Sequence, residues 1–446
     1  MTARKLAYRV LMDIEINKNY SNISLNSFLR DSKLNDSDRG FTTELVYGVL
    51  ENKIYLDYII NQYSKIKVKK MAHSVKIVLR MGVYQLIFLQ GSKDYASINE
   101  SVKIIKKIDY KSSGFVNAVL RNIARDKEKI RVLKEDSIEN ISIKYSFERW
   151  IVEKLVEQYG FNEAIDIVKS LSLKPRIYLR INMLKKNEFN SFEDLKKYII
   201  SELEKEKISV REVEDVNEAL EVENIKSIED NILFRNGYIS VQDLSSMMVA
   251  KALNPNKDVK VLDVCAAPGG KSMHICEMLE NSGQVISCDI YKHKIKLIKS
   301  YVKRLGVKNN ICSISDALKL DQNKLDSFDY ILCDVPCSGM GIVRRKPEIK
   351  YKKEEDLQEL PKIQYNILEN ASKYLKKGGV IIYSTCTIFK EENIDIINKF
   401  LENNKEFELD IINNLEFINK YENAYINILP NKVKMDGFFI CRMKKI

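Results

Sequence analysis

Hydrophobic and polar positions change rhythm twice along the chain. In residues 1–130 apolar side chains recur at helical spacing: Ile98, Val102 and Ile105 run with Ser97-Ile98-Asn99-Glu100, a capping-box pattern, and Phe115, Val119, Leu120 and Ile123 repeat the period. No strand alternation interrupts them, which predicts an all-α domain. Residues 131–235 are mixed, with a short alternating run at Ile177-Tyr178-Leu179-Arg180-Ile181 and a strongly acidic stretch over 201–230, and predict a small α+β connecting domain. In residues 236–446 apolar runs at Val259–Val264, Gln284–Cys288, Ile311–Ile314, Tyr330–Cys333 and Val380–Tyr383 alternate with amphipathic stretches such as Ile295–Leu305 and Ile363–Leu375. Continuous apolar strands between helices predict a parallel sheet covered on both faces, an α/β doubly wound, Rossmann-like domain. No internal repeat or low-complexity linker appears.

Composition narrows the class. The chain has 446 residues, 45% of them hydrophobic and 30% charged, with 16 Gly and 7 Pro, which supports several packed domains and excludes collagen-like or mostly disordered readings. The longest apolar runs, such as Val83–Leu89, fall short of the ~20 residues of a membrane span. Met1-Thr2-Ala3-Arg4-Lys5-Leu6 leads into charged helical sequence without an apolar export segment, so a cytoplasmic protein is expected.

The net charge of +11 is unevenly distributed: residues 1–150 hold 27 Lys+Arg against 17 Asp+Glu, and the remainder 46 against 45. A localised basic excess marks a polyanion binder, because cations near phosphates release condensed counterions; a lysine-rich face that only solubilises the domain reads the same way. All eight cysteines lie at 265 or later, without a C-x2-C pair, and only three histidines are present, so no metal site is expected. Reduced thiols are the expectation, one or two of them catalytic.

In a doubly wound sheet ligands bind beyond the carboxyl ends of the strands. The residues there include Asp263, Asp289, Asp316 and Asp334. After the first run comes Cys265-Ala266-Ala267-Pro268-Gly269-Gly270-Lys271, a small-residue loop opening a helix, and Asp289 follows Gly270 by 19 residues, near the spacing of a ribose-binding acid. The loop lacks G-x-G-x-x-G, and carboxylates suit a cationic sulfonium better than phosphates, which favours S-adenosylmethionine over a dinucleotide. Gly269 and Gly270 also read as a plain strand-to-helix turn.

Two further strand ends carry thiols, Asp334-Val335-Pro336-Cys337-Ser338-Gly339 and Ser384-Thr385-Cys386-Thr387, separated by 49 positions. A thiol pair is intelligible if the methyl acceptor is C5 of a cytosine. That carbon is a poor nucleophile until a thiolate adds across C6 and makes it enamine-like. The C5 proton must then leave and the thiolate be eliminated, a step that a second thiol or a carboxylate can assist. Asp334 is placed to hold the exocyclic amine and N3. Spacing does not say which cysteine attacks.

Together the segments Leu262 to Lys271, Asp334 to Gly339 and Ser384 to Thr387 resemble the RNA cytosine-5 methyltransferases, and Ser240-Val241-Gln242-Asp243 and an RNA-facing segment at Arg180-Ile181-Asn182 extend the likeness. Arg39 to Gly48, Ala96 to Val102 and Phe115 to Arg121 resemble a NusB-like RNA-binding domain. The fusion of the two is similar to the bacterial RsmB (Sun/Fmu) type, which implies action on a cytosine of 16S ribosomal RNA or of a small-subunit assembly intermediate; a monomer is expected.

The resemblance implies Cys386 as nucleophile, Cys337 as the thiol assisting release and Asp334 as the base-holding carboxylate. It also implies S-adenosylmethionine contacts from Cys265, Ala266, Ala267, Pro268, Gly269, Gly270, Lys271, Asp289 on the ribose, Asp316 near the adenine, and Asp334. Glu148, in Ser146-Phe147-Glu148-Arg149-Trp150, departs from the family, which commonly has proline there.

Three other readings stand beside this one. They are a transfer RNA substrate, a non-catalytic RNA-binding or antitermination-like factor, and a nicotinamide oxidoreductase. The intact Cys337, Cys386 and Asp334 argue against the second, and the Ala-Ala-Pro-Gly-Gly loop against the third. Arg344-Arg345-Lys346 is a phosphate contact or a solvated cluster. Trp150, His73, His274 and His293 are read as structural or surface residues.

Overall fold

The helical period of the first third is realised in the computed structural model, which describes residues 2–89, 93–130, 133–225, 227–415, 418 and 423–446. Helices α1 (Ala3–Asn17), α2 (Ser21–Arg30), α3 (Asp36–Glu51), α4 (Lys53–Tyr63), α5 (His73–Ile87), α6 (Asp94–Ile108) and α7 (Ser113–Asp126) share one core that includes Leu6, Val10, Leu45, Ile59, Val83 and Leu120. Side-chain caps start several of them: the Thr2 hydroxyl accepts the Lys5 N–H and Asn35 accepts that of Asp38. Helices α8 (Ile138–Tyr145), α9 (Arg149–Tyr159) and α10 (Phe161–Leu171) follow.

The capping box expected at Ser97 does not form. Helix α6 starts at Asp94, three residues earlier, and Ser97 is buried within its first turns. Ser101, one turn further on, lines the face on which α6 packs against α5, where a Cβ on Gly82 would come 3.2 Å from its hydroxyl. Small size at a helix crossing is what this serine supplies.

Two compact units emerge, Met1–Leu173 with Val343–Glu354, and Lys174–Ile342 with Glu355–Ile446. The inserted segment is tightly held among the helices. Glu348 accepts the Ser21 N–H and hydroxyl at 3.1 and 2.8 Å, and the Tyr351 hydroxyl donates to the Leu50 carbonyl and accepts the Lys53 N–H. Buried Lys350 donates to the carbonyls of Glu51 and Tyr145 at 3.1 and 2.9 Å. Burial pulls its pKa down to about 8, with Glu51 opposing. Arg344 is buried and the Lys346 ammonium lies 5.1 Å from the Tyr20 ring, so this run is not a solvated cluster. Glu148 has φ of −56°, which a proline would share, but its N–H donates to the Lys350 carbonyl at 3.0 Å, which a proline could not do.

The second unit opens with an antiparallel sheet of order β2-β3-β1-β4, from β1 (Ile177–Ile181), β2 (Ser209–Glu212), β3 (Ala219–Glu223) and β4 (Ile239–Val241), covered by α11 (Phe192–Lys205). The larger sheet has order β10-β12-β9-β8-β5-β6-β7, with β11 paired to β12. Its parallel part is β5 (Lys260–Asp263), β6 (Gln284–Asp289), β7 (Asn310–Ile314), β8 (Phe328–Asp334) and β9 (Leu375–Thr385), the five runs expected from sequence. Strands β10 (Phe407–Leu409), β11 (Tyr425–Ile428) and β12 (Phe438–Lys445) complete it, and β12 runs antiparallel to β9. Helices α12 (Ile232–Arg235), α13 (Leu244–Leu253), α14 (Gly270–Met278), α15 (Lys292–Leu305), α16 (Leu360–Ser372) and α17 (Ile394–Asn403) surround these sheets in sequence. The amphipathic stretch at 363–375 thus ends as a helix at Ser372, and Leu375 already belongs to β9. Among the described residues no helix is long and apolar enough to cross a membrane.

Arg180-Ile181-Asn182 does not face RNA. All three are buried, Arg180 to 1% exposure. The Arg180 guanidinium forms a two-pronged ion pair with Glu277 on α14 at 3.1 and 2.6 Å, bonds Gln242, and donates to the Gly270 carbonyl at 2.9 Å. Asn182 ties the carbonyls of Gly237 and Leu305. Removing one member of a buried pair leaves the other charge uncompensated. Arg180→Met should therefore lower unfolding free energy by about 3–5 kcal/mol, read as a lower urea midpoint at unchanged m-value, and adding Glu277→Leu should recover most of it.

Candidate functional site

The order of the parallel strands reverses between β5 and β8, so a crevice opens beyond their carboxyl ends. Asp263 ends β5, Asp289 ends β6 and Asp334 ends β8, while Asp316 lies two residues past β7.

The loop from Cys265 to Lys271 runs along this crevice. The Ala266 N–H donates to the Cys288 carbonyl at 2.8 Å, which lays the loop over β6. Gly269 caps α14 at φ 116°, a conformation L side chains rarely adopt. Lys271, the second residue of α14, donates to Asp334 at 2.7 Å, and the other Asp334 oxygen accepts the Ser384 hydroxyl at 2.9 Å. Burial presses the Lys271 pKa down, but the charge and hydrogen bond of Asp334 outweigh it and hold the ammonium above its ordinary value.

Asp263 is 1% exposed. One of its oxygens accepts the Ser272 hydroxyl at 2.5 Å, and the other has no hydrogen-bond partner. Burial pushes its pKa up to about 7; the Ser272 bond opposes this and the Asp334 charge adds to it. Asp289 accepts the Tyr291 N–H at 3.0 Å and lies 3.5 Å from the Lys294 ammonium. Asp316 accepts the Leu318 N–H at 3.1 Å. Burial, with the Asp263 charge second, raises the Cys265 thiol, which marks it as an unreactive member of the loop.

The two cysteines distant in sequence meet, with sulfurs 3.2 Å apart. Strands β8 and β9 are parallel neighbours with Asp334 opposite Ser384, so each thiol sits on the turn leaving its strand. The residue after each cysteine joins the turns again, because the Ser338 and Thr387 hydroxyls lie 2.7 Å apart. The Gly341 N–H donates to the Cys386 carbonyl at 2.9 Å, and Gly341 and Gly437 approach so closely that a Cβ at 341 would fall 1.9 Å from the Gly437 carbonyl oxygen. The hydrogen bond to Cys386 raises the Cys337 thiol well above its ordinary value, and burial and the charges of Cys386 and Glu392 add to it.

Sequence reasoning missed Glu392 and Gln364, which hold the Cys337 turn from behind, and the Ser338–Thr387 link. Glu392 lies in a plain Lys-Glu-Glu-Asn run and its partners are 28 and 54 residues away, so no local signal exists. His274 is buried with Nε2 3.5 Å from Glu218, and Trp150 donates to the Lys352 carbonyl, both structural placements as expected.

In the helical unit the α6–α7 hairpin carries a basic stripe. Lys103, Lys106, Lys107 and Lys111 are exposed along α6 and its following turn, and Arg121 and Arg125 along α7. At the turn Tyr110 is 69% exposed with the Lys106 ammonium 5.5 Å from its ring. Nearby acids are engaged locally, Glu100 with Lys103 and Asp109 with Ser112. An exposed ring with an ammonium group beside it suits a nucleobase stacked next to its phosphate.

A family model described as 16S rRNA methyltransferase RsmB/F matches residues 250–444, a NusB family model residues 1–125, and an RsmF/B-like ferredoxin-like domain residues 147–229. The chain is 38% identical to the probable ribosomal RNA small subunit methyltransferase B of Bacillus subtilis, over 100% of this chain and 99% of the relative. It is 30% identical to the ribosomal RNA small subunit methyltransferase B of Shewanella oneidensis, over 100% and 99%. The crystal structure of PH0851 superposes with a TM-score of 0.82 over 99% of both chains, at 24% identity, and shares the fold.

Asp263 generates a pH prediction. Its folded pKa of about 7 lies above its ordinary value of 3.8, so the stability it contributes is fully present below that ordinary value and is lost as pH rises through about 7. Asp263→Asn cannot ionise, and its melting temperature should fall less than that of the wild type between about pH 5.5 and 8 by calorimetry. Parallel curves would mean that Asp263 is ionised throughout.

Proposed function

The chain belongs to the RsmB/F family of 16S rRNA methyltransferases, and on that premise we propose that it moves a methyl group from S-adenosylmethionine to C5 of a cytosine in 16S ribosomal RNA through a covalent thiol adduct. The observation that carries this reading is the thiol pair, 3.2 Å apart beside the Lys271–Asp334 ion pair. A methyl acceptor with its own lone pair would need no thiols at the crevice; an unactivated pyrimidine carbon does.

The residues present fit the methyl donor. The unpartnered Asp263 oxygen is a buried acceptor in a crevice lined by further carboxylates, a donor set suited to a ligand with ammonium and sulfonium charges. Cys265 to Lys271 would hold it by backbone approach, Asp289 at the ribose, Asp316 near the adenine, and Asp334 beside the reacting end. Bound there, S-adenosylmethionine supplies an electrophilic methyl group on sulfur.

Cys386 performs the addition. Its thiolate forms a bond to C6, and the C5=C6 pair moves toward N3, which takes a proton from solvent and returns it when the ring is restored; the Asp334 carboxylate accepts hydrogen bonds from that N3–H and from the exocyclic amine. C5 then carries the electron density that captures the methyl group. Loss of the C5 proton restores the C5=C6 pair and breaks the C6–Sγ bond. Cys386 leaves as a thiolate that accepts a hydrogen bond from the Cys337 thiol, and one proton passes to solvent for each methyl transferred. The target base must leave its stack to reach the crevice, at a cost of a few kcal/mol.

Residues 1–130 act in this reading as a NusB-like RNA-binding domain, 131–235 as the connecting domain and 236–446 as the methyltransferase domain. The protein works as a cytoplasmic monomer on 16S ribosomal RNA or a small-subunit assembly intermediate. The α6–α7 stripe is its phosphate-binding face.

Two experiments test this. With labelled S-adenosylmethionine and unmethylated small-subunit RNA, Cys386→Ala should lose at least about a thousandfold in rate, and Cys337→Ala should accumulate a protein–RNA adduct on a denaturing gel. Methyl transfer by Cys386→Ala at the wild-type rate would remove the adduct mechanism. For RNA binding, Lys106→Ala with Arg121→Ala should flatten the dependence of log K on log salt by about 0.7 to 0.9 per lost phosphate contact, whereas Tyr110→Ala should cost about 1–3 kcal/mol at unchanged slope. Filter binding across a salt series measures both, and unaltered affinity in all three variants would move the RNA face elsewhere.

A further inference from the structure

Two chemically identical thiols share the crevice, and something must keep one as the partner of the other. Glu392, 3% exposed, lies behind the Cys337 turn. One of its carboxylate oxygens accepts the Ser338 N–H at 2.8 Å and the Gln364 amide at 2.9 Å. The same Gln364 nitrogen donates to the Pro336 carbonyl at 2.9 Å. The residues before and after Cys337 are therefore both tied to this carboxylate, one directly and one through Gln364. The Glu392 backbone is itself held, because the buried Tyr383 hydroxyl donates to its carbonyl at 2.6 Å. Strand β9, helix α16 and the turn ahead of α17 all converge on the Cys337 turn.

A buried carboxyl without a full ion pair is a costly way to hold a loop. A neutral amide or hydroxyl could accept the same N–H, so the choice of a carboxyl calls for an electrostatic reason. Charges around the thiol pair are unequal. Glu392 acts on Cys337: burial holds its own carboxyl above the ordinary range, and in its ionised form its negative charge favours the protonated thiol. The Lys271 ammonium interacts with Cys386, where a positive charge favours the thiolate. Asp334 is bound to Lys271, and Tyr383 stays protonated because burial, with Glu392 adding, raises it far above its ordinary value.

We propose that Glu392 is the positioning residue of the release step: through Ser338 and Gln364 it fixes the Cys337 turn so that the Cys337 thiol remains the protonated partner aimed at the Cys386 sulfur. This rests on the reading that Cys337 assists departure of a Cys386 adduct. Glu392 exchanges no atom with substrate. When the C5 proton passes to solvent water and the C6–Sγ bond breaks, the electron pair goes to the Cys386 sulfur, and the fixed S–H of Cys337 donates a hydrogen bond to the resulting thiolate.

The test compares Glu392→Ala, Glu392→Gln, Gln364→Leu and Cys337→Ala in full-length protein by single-turnover methyl transfer, steady-state kinetics and denaturing gels. In Glu392→Ala, kcat should fall about 10- to 100-fold with KM for RNA within about twofold, first-turnover methylation should persist, and adduct should accumulate as in Cys337→Ala. Glu392→Gln keeps one acceptor oxygen and should recover part of kcat. Gln364→Leu removes one donor and the Pro336 tie, should act in the same direction more weakly, and serves if Glu392→Ala does not fold. Adduct in Cys337→Ala but none in Glu392→Ala or Gln364→Leu would overturn the positioning role alone, as would equal loss of methylation and release. Absence of adduct in Cys337→Ala as well would instead remove the assignment of Cys337 on which the role depends.

Discussion

The parallel register of β8 on β9 is the constraint on which the site depends. With Asp334 opposite Ser384, the turns that leave these strands start level, and thiols 49 residues apart in sequence touch. A slip of one residue would send every side chain of a strand to the opposite face of the sheet. Asp334 then extends the alignment to a third strand, because its bond to Lys271 ties the loop after β5 to the ends of β8 and β9. One carboxylate thus sits where three strand-end turns are tied together, and the hydroxyl link between Ser338 and Thr387 repeats the tie one residue beyond the thiols.

The crevice concentrates negative charge, with the Lys271 ammonium against Asp334 and the Lys294 ammonium against Asp289. The Asp334 charge adds to the cost of ionising Asp263, and Lys271 serves Asp334 directly while Asp263 keeps an oxygen unpaired. A buried polar atom without a partner is destabilising in isolation. Its presence at the floor of a ligand crevice fits the usual location of such costs, which folded proteins carry at functional positions and offset elsewhere, here by the surrounding apolar core of Leu262, Ile331 and Ile381.

Much of this was legible in the sequence. The five parallel strands are the five apolar runs, because a strand buried on both faces needs continuous apolar residues, and the acids and cysteines that follow them mark the crevice end. Ile177–Ile181 is a strand with the boundaries its alternation suggests. What was not legible depends on partners remote in sequence. Arg180 looks like an RNA contact until Glu277, 97 residues later, is seen to neutralise it. Ser97 looks like a cap until α6 is seen to start three residues earlier at Asp94, which leaves Ser97 buried inside the helix. Glu392 looks like one solvated acid among several, and nothing near it in sequence announces the amide and the N–H it accepts. The antiparallel β12 pairs with β9 only once the rest of the sheet exists to receive it.

The segment Val343–Glu354 bears on how the chain acquires its structure during synthesis. Ile349 and Lys350 are part of the packed interior of the helical unit, and Tyr351 is bonded to it, yet they follow its last helix by nearly two hundred residues. At roughly 5–20 residues per second, a ribosome needs about 10 to 40 seconds to travel from Leu173 to Glu354. During that interval the helices lack the side chains that satisfy the carbonyls of Leu50, Glu51 and Tyr145. The usual order of vectorial folding, amino-terminal domain first, therefore cannot be completed in this chain until the inserted segment has been made. Its first unit reaches its final form only after most of the second has left the ribosome, so the two mature together.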